Sequence, residues 1–131
     1  MRRKLMVLVL AGVAVAGCNE QPRETNQPPI KVRSAEQDQL HTLDAFNLAI
    51  GLKRAIYAAG YRCQRVTDAG FVGPYQNLDM WVAKCSEGRE WAIFAGPDGS
   101  AQVRDCRDVP GTGTPLCEIK KRPKGSFTEI G

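Results

Sequence analysis

The sequence predicts an α+β domain in which one helix packs on an antiparallel meander of about four strands, stapled by disulfides. Three observations predict it. An apolar stripe at three- and four-residue steps runs from Ala45 to Ala59. Two-residue alternation replaces it after Gly60, and four cysteines, Cys63, Cys85, Cys106 and Cys117, are spread through the alternating part.

The helix has two candidate starts. Ser34-Ala35-Glu36-Gln37 fits a capping box, and Thr42 with Asp44 offers a second N-terminus. Ala45, Leu48, Ala49, Leu52, Ile56 and Ala59 share one face, while Asp44, Asn47, Lys53 and Arg54 fall largely outside it. Gly60 can take the positive φ that follows a last helical turn. The helix is expected over residues 41–59, with a start as early as 35.

Tyr61 to Val66 alternates and reads as a first strand, ended by Asp68-Ala69-Gly70. Residues 70–77, with Gly73-Pro74, read as a turn or longer loop carrying Phe71 and Tyr75. Residues 79–85 and 90–95 form the next strands, joined at Ser86-Glu87-Gly88. Pro97-Asp98-Gly99 makes a strong turn before a fourth, edge strand over 101–105. An antiparallel pairing about Pro74 sets Cys63 opposite Cys85, where cross-strand neighbours are about 5 Å apart. The favoured bridges are therefore Cys63–Cys85 and Cys106–Cys117, each closing a local hairpin or loop, among the three connectivities that four cysteines allow. Each would stabilise by about 3 kcal/mol in the chain-entropy model.

Ahead of this domain, Arg2-Arg3-Lys4 and the apolar run from Leu5 to Ala16 have the anatomy of a secretory signal, and the run is too short to span a bilayer. Val15-Ala16-Gly17-Cys18 resembles the lipobox of bacterial lipoproteins. The resemblance covers the first eighteen residues and implies acylation of Cys18, palmitate included, with removal of residues 1–17 and a stable membrane anchor. Ala14-Val15-Ala16 also fits ordinary signal cleavage, which would release a soluble chain beginning at Gly17. In the family's enteric sorting habit Asn19 points to the outer rather than the inner membrane. Residues 18–33, with Pro22, Pro28 and Pro29, are expected to be a flexible tether. About fifteen extended residues reach about 50 Å.

The expected organisation is thus a signal peptide over 1–17, the tether over 18–33, the domain over 34–119 and a basic disordered tail over 120–131. Of 131 residues, 18 are basic and 14 acidic, and without Arg2, Arg3 and Lys4 the balance falls to about +1. A whole-chain argument for nucleic-acid binding fails on that count. With Cys18 acylated, the remaining cysteines are even in number and are expected to be bridged in an oxidising compartment. Zinc and thiol-redox roles lack a C-x-x-C spacing, and His41 is the sole histidine, so neither a metal nor a cofactor is expected.

No catalytic constellation is legible. His41 lies near the helix start and reads as an exposed or capping side chain, and no serine sits in a G-x-S-x-G elbow. Asp79, Glu87 and Glu90 flank one hairpin without a cleft between them. Trp81, Trp91, Phe94 and Tyr61 read as core. Phe71 and Tyr75, on a Gly/Pro loop, are the candidates for a partner contact. Lys120, Lys121, Arg122 and Lys124 are the candidates for an anionic envelope surface. The expected function is a non-catalytic binding or accessory module, lipid-anchored and facing the periplasm, with a possible envelope protein partner. The alternatives are a structural lipoprotein bridging the membrane and an anionic surface through its tail, and a small enzyme. The oligomeric state stays open.

Overall fold

The computed structural model describes Gly17 and residues 33–127. Cys18, the expected signal peptide and the expected tether up to residue 32, Gly17 apart, lie outside the described residues. Among the described residues, no helix is long and apolar enough to cross a membrane.

Both helix starts are used, so the expected single helix is two. In α1, Ala35–Leu40, the Ser34 hydroxyl accepts from the Gln37 N–H and the Gln37 carbonyl oxygen accepts from the Ser34 N–H, each at 3.2 Å. The same Gln37 amide donates at 3.0 Å to the carbonyls of Asn77 and Ala95. A buried capping side chain thereby ties α1 to the end of the sheet. In α2, Ala45–Ala58, the Asp44 carboxylate caps the Asn47 N–H at 2.8 Å. Ala45, Leu48, Ala49, Leu52 and Ile56 are buried, the stripe the sequence predicts. Gly60, at φ 87°, ends the helix, and the Tyr61 N–H reaches back to the Ile56 carbonyl at 3.0 Å.

The sheet has four antiparallel strands in the order β1-β2-β3-β4: β1 Val66–Tyr75, β2 Leu78–Cys85, β3 Glu90–Ala95 and β4 Ala101–Asp105. The meander is as expected, but its first strand is not. Residues 61–65 are irregular, with the Gln64 N–H given to the Glu87 carboxylate rather than to a ladder. The strand begins at Val66 and runs through the segment expected to be a Gly/Pro loop, turning at Gln76-Asn77 instead of Pro74. An edge strand tolerates Pro74 because one side of its ladder has no strand to bond. Two register shifts, at Val66/Asp68 and Phe71/Gly73, absorb the irregular residues. Cys85 accordingly lies opposite Val66, and Cys63 reaches it from the preceding loop to close the expected Cys63–Cys85 bridge.

Both sheet faces are covered. Against α2 lie Val66, Ala69, Trp81, Ala83, Trp91 and Ile93. On the other face Val72, Met80, Val82, Ala92 and Phe94 pack under Val109, Ile119 and the Cys106–Cys117 disulfide. The expected core residues Trp81, Trp91 and Phe94 are all buried, the two indoles on one face and Phe94 on the other. The indole N–H groups of Trp81 and Trp91 have no partner among the described residues. Each unmet donor costs about 1–3 kcal/mol, which the large apolar area of the ring offsets.

The segment after β4 is a strap. It starts with a 3-10 turn at Cys106–Asp108, crosses the second face, and bridges to β1, where the Phe71 N–H donates to the Lys121 carbonyl at 2.8 Å. Gly70 makes room for it: a Cβ there would meet Ile119 and the Lys121 carbonyl at less than 2.6 Å. The strap then reaches α2, where the Lys124 carbonyl accepts from the otherwise orphaned Ala45 N–H at 2.8 Å, and Phe127 enters the helix-side core. The expected disordered tail over 120–131 is therefore corrected for residues 120–127, which are part of the domain because backbone bonding and one buried aromatic hold them.

Candidate functional site

The residues singled out for partner contact do not form one surface. Phe71 is half-buried in β1, its ring 5.2 Å from that of Trp81 and 4.5 Å from that of His41. Tyr75 lies edge-on to Phe94 at 6.1 Å, on the strap side. The bulge between Phe71 and Gly73 shifts the strand by one residue and sends the two rings to opposite faces. The basic residues are likewise partly spent. Arg122 donates to the Asp68 carboxylate at 2.8 and 3.0 Å, and Lys120 pairs with Glu118 at 2.8 Å. Only Lys121 and Lys124 of the four are without an ion pair among the described residues.

A polar cluster joins exposed Arg33 and half-buried His41 to the buried Asp79. The Asp79 carboxylate, 3% exposed, accepts from the Arg33 guanidinium at 2.9 Å and meets His41 Nε2 at 2.8 Å. The expectation of an exposed or capping His41 side chain is corrected: the backbone N–H of His41 caps the end of α1, while its ring is half-buried between Phe71 and Trp81 and bonded to Asp79. An aspartate-histidine pair is half of a hydrolytic triad in outline, yet the space beside it is about 10 Å³, at most one water. The cluster holds Arg33 and the helix turn on the sheet. Glu87 and Glu90 lie at the other end of β2, where Glu87 accepts from Gln64 and Glu90 pairs with Lys84. The three carboxylates considered together in the sequence thus never meet. Cys63, Cys85 and Glu87 approach one another, but disulfide sulfurs carry no thiolate for a metal.

The structure places exposed aromatic surface elsewhere, at the C-terminal end of α2. Tyr57 and Tyr61 are 51% and 43% exposed, one helical step apart in the last turn and the chain just beyond it. The Tyr61 ring stacks on buried Trp91, centroids 4.5 Å apart and planes at 28°, so one ring face is backed and the other is open. The Arg89 guanidinium sits 5.7 Å from the Trp91 centroid, and Lys53 sits 5.9 Å from that of Tyr57 while donating to the Gln64 carbonyl at 2.6 Å. Tyr57, Tyr61, Arg89 and Trp91, together with Arg62, Gln64 and Glu87, bound an open concavity of about 440 Å³. The Cys63–Cys85 bridge pins the residues flanking Cys63 to the β2–β3 turn, and with it the two walls of the concavity.

Arg62 makes no ion pair among the described residues, whereas Arg89 is 3.8 Å from Asp105. Arg107 holds the Asp105 carboxyl at about 2, through a 2.7 Å ion pair and a backbone N–H, and Arg89 adds to this. Glu87 is already engaged by the Gln64 N–H at 3.2 Å. The concavity can therefore offer a rigid aromatic floor, hydrogen-bonding edges and one uncommitted guanidinium. Sequence reasoning placed Tyr61 in the core and passed over Tyr57. The available signal was that Lys53, Tyr57 and Tyr61 recur at four-residue steps outside the apolar stripe.

No family model, curated protein or solved structure matches the chain. What fold and site define is a class: a disulfide-stapled α+β domain carrying an aromatic and cationic concavity.

Proposed function

We propose that the chain is a non-catalytic binding module of the bacterial cell envelope, anchored by lipid at Cys18 and facing the periplasm, and that the concavity of Tyr57, Tyr61 and Arg62 is its docking face. The observation that carries this reading is the Tyr61–Trp91 stack, a pre-ordered aromatic platform open on one side. Rigid aromatics exposed in a concavity contribute contact area at low entropic cost. The two disulfides support an oxidising compartment, in keeping with the lipobox-like residues 15–18. The bridging role through the basic tail is the weaker reading, since Arg122 and Lys120 are engaged within the domain.

Capture from native envelope extract tests the reading. The wild-type chain is expected to recover a component that the Tyr57→Ala/Tyr61→Ala variant loses while its melting temperature is unchanged. Recovery of that component by the double variant removes the docking face. Mass spectrometry of the mature N-terminus decides the anchor: an acylated Cys18 supports it, and a chain beginning at Gly17 with a free thiol removes it.

A further inference from the structure

We infer that the ligand of this concavity is an anionic saccharide, its ring lying on Tyr61 and its carboxylate held by Arg62. The inference rests on the binding-module reading and adds the chemistry of what is bound.

Three features select the ligand. First, the floor is a flat ring rather than a deep apolar hole. An acyl chain needs enclosure on all sides, whereas a pyranose presents a C–H-rich face that complements the negative face of an aromatic ring. Tyr61 suits this because Trp91 fixes it from behind, so no rotamer freedom is lost when a ring settles on it. Second, the edges are polar. Gln64 and Glu87 border the floor and the tyrosines carry hydroxyls, groups that match sugar hydroxyls around the ring perimeter.

Third, the concavity offers an unpaired cation, Arg62, beside one acid, Glu87, whose carboxylate accepts from the Gln64 N–H but has no ion pair among the described residues. The nearby Asp105 is already paired. A guanidinium fork accepts a carboxylate with two parallel N–H bonds, which gives direction as well as attraction. A polyphosphate is disfavoured, since the chain beyond residue 17 carries only about +1.

Titration of the full chain with oligogalacturonate tests this, with a maltooligosaccharide of the same length as uncharged counterpart and oligodeoxythymidylate as polyanion. Tryptophan fluorescence reports the site through Trp91. Oligogalacturonate is expected to bind about tenfold or more tighter than the neutral sugar, and Tyr61→Ala to weaken it by about tenfold, equivalent to about 1.4 kcal/mol. Arg62→Gln should abolish the preference for the charged sugar, bringing its affinity to that of the neutral one. Raising salt from about 0.05 to about 0.2 M should weaken the charged sugar severalfold. Equal binding of both sugars, tighter binding of oligodeoxythymidylate, or an unaffected Tyr61→Ala variant of unchanged melting temperature each overturns the inference. If no sugar binds while envelope capture still depends on Tyr57 and Tyr61, the saccharide falls and the binding module stands. If capture is independent of them, both fall.

Discussion

On one side of the sheet, a capped helix buries two indoles and a continuous aliphatic stripe. On the other, a strap with only Val109, Ile119 and a disulfide to offer lies over Met80, Val82 and Phe94. The helix side is held by apolar area, which is non-directional and largely indifferent to pH. The strap has too few apolar side chains for that, and it is held by links at intervals instead: Cys106–Cys117, Asp105 with Arg107, Asp68 with Arg122, and the backbone bridge at Phe71. A cover can thus be made from a polar segment when covalent and ionic ties replace hydrophobic surface.

The largest effect that would expose this difference is Trp81→Ala, which is expected to cost about 3–5 kcal/mol and to unfold both sides together. Urea unfolding followed by fluorescence and circular dichroism checks it, and non-coincident transitions would show that the two sides are separate cooperative units. Next is removal of Cys106–Cys117, which closes 11 residues of sequence separation, by a double change to alanine. The chain-entropy model gives about 3 kcal/mol, and the loss should be local. Amide exchange should accelerate over residues 106–121 and stay slow in α2. Uniform acceleration would instead make the strap part of the global core.

The smallest effect is acid sensitivity, which falls on the ion pairs that tie the strap and on the β3–β4 turn, where Ser100 lowers Asp98. Arg107 holds Asp105 at about 2, below its ordinary 3.8, and the Arg122 ion pair lowers Asp68 as well. Folded values below unfolded ones give stability that is complete above about pH 4 and lost as pH falls toward 2. The urea midpoint should fall across that range, and Asp105→Asn should flatten the fall. An unchanged slope in that variant would assign the acid response to other groups.

The comparison also explains what the sequence revealed. The helix was legible because Ala45, Leu48, Leu52 and Ile56 share a face and because Ser34 and Asp44 are strong caps. That both caps operate was not, since the short α1 depends on tertiary bonds, from Gln37 to Asn77 and Ala95 and from Arg33 and His41 to Asp79. The first strand was misread because Gly70, Gly73 and Pro74 are ordinarily breakers, whereas here Gly70 admits the strap and Gly73 lies at a bulge. The second covered face had a sign, the unbroken apolar runs Met80 to Ala83 and Trp91 to Ala95, which mark strands buried on both faces. The four-residue spacing outside the stripe marks Tyr57 and Tyr61 as off the core face, but that they form one platform depends on how α2 ends and on the stack with Trp91 from a distant strand.

The hold of Arg33 on Asp79 has a consequence for where the chain enters the domain. Asp79 starts β2, and the walls of the concavity gather at its far end, six residues on, about 20 Å away at a strand's rise. Any pull from the chain before Arg33 is delivered to the Asp79 end. The chain thus enters the domain at the end of the sheet remote from the aromatic platform, which leaves the platform clear of the entering segment.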